Sequence, residues 1–185
     1  IVKYSRSAYV SVPELPLSPV SVLMILDGRH ASLRFAPADQ VEMATGAAFS
    51  QISVDGDLPI SIGGVDISDA FYQIEVPQWL RRYFGLPRLR AGDVGLSQLT
   101  DGTPVKASAW VVPCFRCPPM GWSISLWICQ TLNEAVTARA LPGHFGRRLV
   151  DRRPAPSLGE GMAHTVCVDN FIALPHRLED VRAAA

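Results

Sequence analysis

Apolar and polar positions alternate along this chain in a way that marks short elements of both kinds. SVLMILDGR (21–29) is an apolar run closed by Asp-Gly, which predicts a strand and a turn. Residues 36–52 have helix-compatible spacing after Asp39, interrupted at Gly46. SIGGVDISDAFYQIEV (61–76) reads as a β-rich run in which acids stand at otherwise apolar positions. PQWLRRYFGL (77–86) predicts a short helix started by Pro77 and ended near Gly85. LPRLRAG (86–92) and VKASAWVVPC (105–114) predict two strands around a polar loop that contains Asp101-Gly102. The longest helix is expected over 123–141, with Ser123 as cap and Leu126, Cys129, Leu132 and Val136 on one stripe. Residues 142–163 form a Gly/Pro/Arg-rich loop, and HTVCVDNFIAL (164–174) predicts strand, turn and strand. RLEDVRAAA (177–185) begins a further helix, while Pro13, Pro16 and Pro19 make residues 1–20 an extended arm. There are no internal repeats. Interspersed strands and helices predict an α+β fold.

Composition narrows the class. At 185 residues, 48% apolar and without net charge, the chain is long and apolar enough to bury a core, and disorder is excluded. No stretch approaches the ~20 apolar residues of a membrane span, and the first residues lack the pattern of a signal peptide, so an intracellular setting is expected. The missing initiator Met suggests a fragment. Charge is unevenly spread: residues 1–80 sum to −5, residues 81–153 to +7 and residues 154–185 to −2. The basic block is almost all Arg, which suits forked contacts to phosphate, although a skewed genome composition gives the same bias. Cys114 and Cys117 form a CxxC, but Cys129 and Cys167 stand alone and no second pair completes a zinc set. Buried or incidental thiols are expected.

Candidate chemistry centres on two acids among apolar neighbours. Asp66 lies between Val65 and Ile67, and Asp169 between Val168 and Asn170. A buried carboxylate is costly unless paired or bound to a metal, so two of them suggest adjacent strands sharing a divalent cation. Mg²⁺ suits such an incomplete cage, because substrate phosphates complete its shell. The alternative is that both acids are turn or cap residues bonded to backbone amides.

The wider pattern resembles a known family. VDISDAFYQIEVP (65–77), PPMGWSISLWICQ (118–130) and VCVDNFIAL (166–174) resemble, in order and character, the three central motifs of a reverse-transcriptase palm. LMILDGRHAS (23–32) resembles the family's fingers segment, and RRYFGLP (81–87) its Tyr/Phe-rich stretch after the first motif. The likeness covers roughly residues 20–185 and is nearest to retroelement polymerases. It implies an antiparallel palm sheet packed on helices over 61–185, and partial fingers over 21–60. The thumb, and any RNase H domain, would lie outside these residues.

The resemblance also implies an activity: RNA-directed DNA polymerase acting by two-metal nucleotidyl transfer. Its cofactor would be Mg²⁺ (or Mn²⁺), and its partners an RNA or DNA template with primer and deoxynucleoside triphosphates. Asp66 and Asp169 would be catalytic and hold the metals, with Asn170 beside them. The amides of Asp69 and Ala70 would face the triphosphate, and Phe71 would lie against the sugar as a steric gate. Bulky Phe71 also argues against a viral RNA-dependent RNA polymerase. Met120 and Gly121 would line the nucleotide pocket, where a residue without Cβ permits close approach. Arg29 would contribute from the fingers, its alternative being a structural ion pair with Asp27. The sequence departs from the family in three ways: Asn170 replaces a second Asp, the strand SVLMIL carries no base, and the chain stops soon after the third motif. A catalytically inactive retroelement remnant, or a nucleic-acid-binding module without chemistry, are the alternative readings.

Overall fold

A computed structural model of the chain describes residues 7–8, 26–54 and 61–174. The chain divides into two units, Ile1–Pro37 with Phe71–Ser125 and Ala38–Ala70 with Leu126–Ala185. The described architecture is a mixed α/β one with antiparallel sheets and few helices. Among the described residues, no helix is long and apolar enough to cross a membrane.

In the first unit, β1 (Ser7–Ala8) pairs parallel with a later strand, and α1 (Arg29–Ser32) is a single helical turn. The sequence expectations for the arm over 1–20 and the strand over 21–25 lie outside the described residues, apart from β1. Within the β-rich run expected over 61–76, only Gly63–Asp66 is strand, and Ala70–Gln73 is a helical turn. Pro77 precedes a one-turn helix, Gln78–Arg81, as its fixed φ favours. The two strands expected around Asp101-Gly102 are present as Leu89–Arg90 and Trp110–Pro113, paired antiparallel with Leu89 opposite Val111 and Arg90 opposite Trp110. Leu89 and Val111 face a small core with Ala91, Leu96, Leu99 and Val105. Asp101 accepts from the Thr103 amide at 2.9 Å, closing the loop where Gly102 takes a positive φ of 80°. Trp122 packs against Phe84 and Phe35, at centroid separations of 4.9 and 5.3 Å.

In the second unit, α2 (Gly46–Phe49) is one turn, not the longer helix expected over 36–52. Gly46 opens it instead of interrupting it. Thr45 caps the Ala47 amide, and Asp151 fixes the cap by accepting from both the amide and the hydroxyl of Thr45 at 2.9 Å. β2 (Gly63–Asp66) comes next, followed by α3 (Ala70–Gln73), which straddles the division between the units. With α4 (Gln78–Arg81), β3 (Leu89–Arg90) and β4 (Trp110–Pro113) as given above, the long helix is α5 (Ser125–Ala140). The amide of Ser123, just before α5, donates to Ser32 Oγ. The hairpin is β5 (Ala163–Cys167) and β6 (Asn170–Leu174), and the sheet order is β2-β6-β5, antiparallel throughout. The helix expected over 177–185 lies outside the described residues.

One expectation fails here. Of the apolar stripe of α5 only Cys129 is buried: Leu126, Leu132 and Val136 are exposed, whereas Gln130, Asn133 and Thr137 are buried. Residues 142–163 form the expected loop, with short helical turns at Phe145–Arg147 and Leu158–Glu160, and the loop is packed down. Leu149 and Leu158 are fully buried with Ala48, Ala163 and Leu174, and Arg147 donates to the carbonyls of Ser157, Gly161 and Met162. Arg148 also pairs with Glu134 at 3.0 Å. In both segments polar side chains find backbone or charged partners far along the chain, so polarity does not force them outward.

Candidate active site

The β5–β6 hairpin is closed by a two-residue turn, Val168–Asp169. Val168 has a φ of +57°, a left-handed conformation that costs a β-branched residue roughly 1–2 kcal/mol. Tight hairpin turns demand positive φ at this position, and glycine is the usual occupant. The cost is borne by contacts from α5. Gln130 Oε1 accepts from the Val168 amide at 2.6 Å, and Asn133 Nδ2 donates to the Val168 carbonyl at 3.0 Å. The Cys129 thiol also points at that carbonyl, at 3.7 Å. Gln130 Nε2 donates in turn to the Val166 carbonyl at 3.0 Å and to Glu134 at 2.6 Å, and Glu134 pairs with Arg148. These buried amides hold a strained turn in one conformation. Sequence reasoning missed them, because a polar residue on a helix reads as solvent-facing until its partner is known.

The turn abuts the end of β2. The Ile67 amide donates to the Asp169 carbonyl at 2.9 Å, and Asp66 stands directly opposite Asn170 in the ladder. Directly opposed residues share one face of a sheet, so Asp66 and Asn170 are side by side. Asp169 completes the group: its Oδ1 accepts from Asn170 Nδ2 at 3.0 Å. The fold therefore brings Asp66, Asp169 and Asn170 together. It corrects the premise that both acids are buried in apolar strands. Asp66 is exposed at a strand end, and Asp169 is half-buried in a turn, where a carboxylate keeps solvent without needing a counter-charge. Among the described residues, no cation forms a salt bridge with either. The negative charge of Asp169 reaches Cys129, whose thiol pKa is raised first by burial and then by that charge.

The donor set is two carboxylates and one amide oxygen, hard ligands that suit Mg²⁺ or Mn²⁺ with substrate oxygens completing the shell. Among the described residues, no three of His, Cys, Asp and Glu gather as a self-sufficient cage. The turn after β2 is less open than expected. The Ala70 amide donates to the Ile67 carbonyl at 3.2 Å and is committed to the chain, while Asp69 sits at a φ of +54°. An amide used to close a tight turn has no hydrogen left for a phosphate oxygen.

The remaining candidates lie in the other unit. The Leu26 amide donates to the Met120 carbonyl at 2.9 Å, and a Cβ on Gly28 would stand 2.4 Å from the Gly121 carbonyl oxygen. Ser32 Oγ donates to the Gly28 carbonyl and accepts from the Ser123 amide. Arg29, Met120 and Gly121 are thus brought to one place, and the close approach falls on Gly28 as well as on Gly121, whose φ is +104°. The Arg29 guanidinium grips Asp27 through two bonds, of 2.8 and 2.6 Å, while 86% of its side chain stays exposed. This pairing lowers the Asp27 carboxyl pKa well below the usual range, chiefly through the Arg29 side-chain bonds. Phe71 is half-buried in α3. No protein-family model matches this chain, and neither does any curated protein.

Proposed function

We propose that this chain is the palm, with partial fingers, of a retroelement-type reverse transcriptase, an RNA-directed DNA polymerase working on a primed RNA or DNA template. One observation supports the reading most. Asp66 and the Val168–Asp169 turn, which carry the first and third family-like motifs, adjoin at one end of a single antiparallel sheet. The second motif supplies α5, whose Gln130 and Asn133 fix the turn.

In this reading Asp66, Asp169 and the Asn170 side-chain oxygen hold the catalytic cations. Bound Mg²⁺ or Mn²⁺ supplies a lowered pKa at the primer 3′-hydroxyl and charge neutralisation on the leaving pyrophosphate. The protein's own part is placement. The clamp on Val168 fixes the backbone that carries Asp169, so the carboxylate need not reorganise as charge develops. The resemblance assigns the incoming deoxynucleoside triphosphate to the Asp69 amide, Arg29, Met120 and Gly121, and its sugar to Phe71.

Primer extension tests this, in the protein expressed from its full reading frame, with Mg²⁺ or Mn²⁺. Extension that disappears in Asp66→Asn supports the reading, and undiminished extension by that variant refutes the metal assignment. An inactive remnant is the second reading, favoured by the place of Asn170. The lost charge lies directly opposite Asp66, not at the rim, so its absence weakens cation binding where it matters. Absence of extension that Asn170→Asp restores would support that second reading.

A further inference from the structure

The β3–β4 ribbon has two unlike faces. Leu89 and Val111 turn to the core, so Arg90 and Trp110, directly opposed to each other, turn the other way, with Arg88 two residues before Arg90 on the same side. Trp110 is 55% exposed, and the guanidinium carbons of Arg88 and Arg90 each lie 4.9 Å from the centroid of its ring system. Arg90 is further steadied by a bond to the Ser108 carbonyl. Among the described residues no carboxylate forms a salt bridge with Arg88, Arg90, Arg82 or Lys106, whereas Glu75 serves Arg81 and Arg116. An apolar back thus fixes a front of one exposed indole with two guanidinium groups against its ring, neither salt-bridged among the described residues.

We propose that this face binds single-stranded nucleic acid, with Arg88 and Arg90 turning from the Trp110 ring to adjacent phosphates and a base stacking on the ring in their place. The charge is complementary to a polyanion, and the forked donors fit phosphate oxygens. The exposed ring fits a base whose π-face is free, which a single strand offers and a duplex hides. The contact itself stands on the ribbon alone. Only the identity of the strand, the unpaired template, rests on the polymerase reading.

The test is fluorescence anisotropy of a labelled oligo-dT 20-mer with the full chain, titrated over a range of salt. Arg88→Ala/Arg90→Ala is expected to weaken binding about tenfold or more and to flatten the salt slope by ~1.4, about 0.7 per lost phosphate contact. Trp110→Ala is expected to weaken it roughly tenfold with the salt slope unchanged, and Trp110→Phe to retain most of it. Arg139→Ala/Arg152→Ala, which removes the same charge elsewhere, should stay within about twofold at moderate salt. Thermal melts establish that each variant is folded. The proposal is overturned if wild-type protein does not bind, if the ribbon variants match the charge control, or if duplex DNA or poly-glutamate competes as well as oligo-dT. Failed primer extension with these binding results intact would remove the polymerase reading and leave the strand-binding face standing.

Discussion

The hairpin turn and the β3–β4 ribbon place polar residues by opposite means. At the Val168–Asp169 turn the polar groups of α5 are buried, and their role is to satisfy backbone atoms and hold a left-handed valine. At the ribbon the polar groups are exposed, and apolar residues behind them do the holding. A buried amide that loses its partner leaves an unsatisfied donor or acceptor, whereas an exposed Arg returns to water. The two regions should therefore respond very differently to the same kind of substitution.

The largest expected stability effect belongs to the hairpin sheet and comes through pH. His164 on β5 is fully buried beside Phe171, with no hydrogen-bond partner on either ring nitrogen. Burial, reinforced by the positive charges of Arg148 and His144, lowers its pKa from 6.5 to about 4. Between those values the unfolded chain binds a proton that the folded one refuses. Stability is then intact above about pH 6.5 and falls by up to about 3 kcal/mol as pH drops toward 4. Denaturant melts over this range should show the slope, and His164→Leu should flatten it. The ribbon contains no titrating group of this kind to compete.

Next in size is the clamp. Gln130→Leu leaves the Val168 amide and the Val166 carbonyl without their partners and should cost about 2–3 kcal/mol, a fall in Tm of several degrees. Asn133→Leu removes one bond to the Val168 carbonyl and should cost about 1 kcal/mol. Equal melting of Gln130→Leu and wild type would break the contrast drawn between the two regions. Sugar choice gives an effect of similar size if the protein extends primers. Phe71→Ala should narrow discrimination against ribonucleotides by roughly tenfold to a hundredfold, because a buried 2′-hydroxyl without a partner costs about 1–3 kcal/mol. An unchanged ratio would remove the gate.

Smaller still is the charge opposite Asp66. Asn170→Asp sets two carboxylates across a ladder and should lower stability by about 0.5–1 kcal/mol in EDTA, a loss that added Mg²⁺ reverses. A metal-independent melt of this variant would count against cation binding at the turn. Smallest is Arg88→Ala at an exposed position, which should shift stability by no more than about 0.5 kcal/mol in a thermal melt.

Much of this was readable in the residues. The β5–β6 hairpin, the α5 helix and the β3–β4 pair follow from local period and length, whereas Asp169 reads as a strand residue as readily as a turn one. The grouping of Asp66 with Asp169 was suggested by two acids at apolar positions, a pattern that two unrelated turn residues also fit, and was strengthened by the order of motifs. Other segments misled. DAFYQ reads as strand because its aromatic residues favour one, yet the Ala70 bond to Ile67 turns the chain into α3.

Sequence by itself determined where the β5–β6 hairpin, the β3–β4 pair and α5 form, because each is specified by neighbours a few residues away. Tertiary structure decided which face of each element is buried. In α5 the apolar stripe lost to Gln130 and Asn133, whose partners at Val166 and Val168 lie 35 to 38 residues downstream. A polar side chain is buried at little cost only when a backbone group is waiting for it, and no local pattern records that group's arrival.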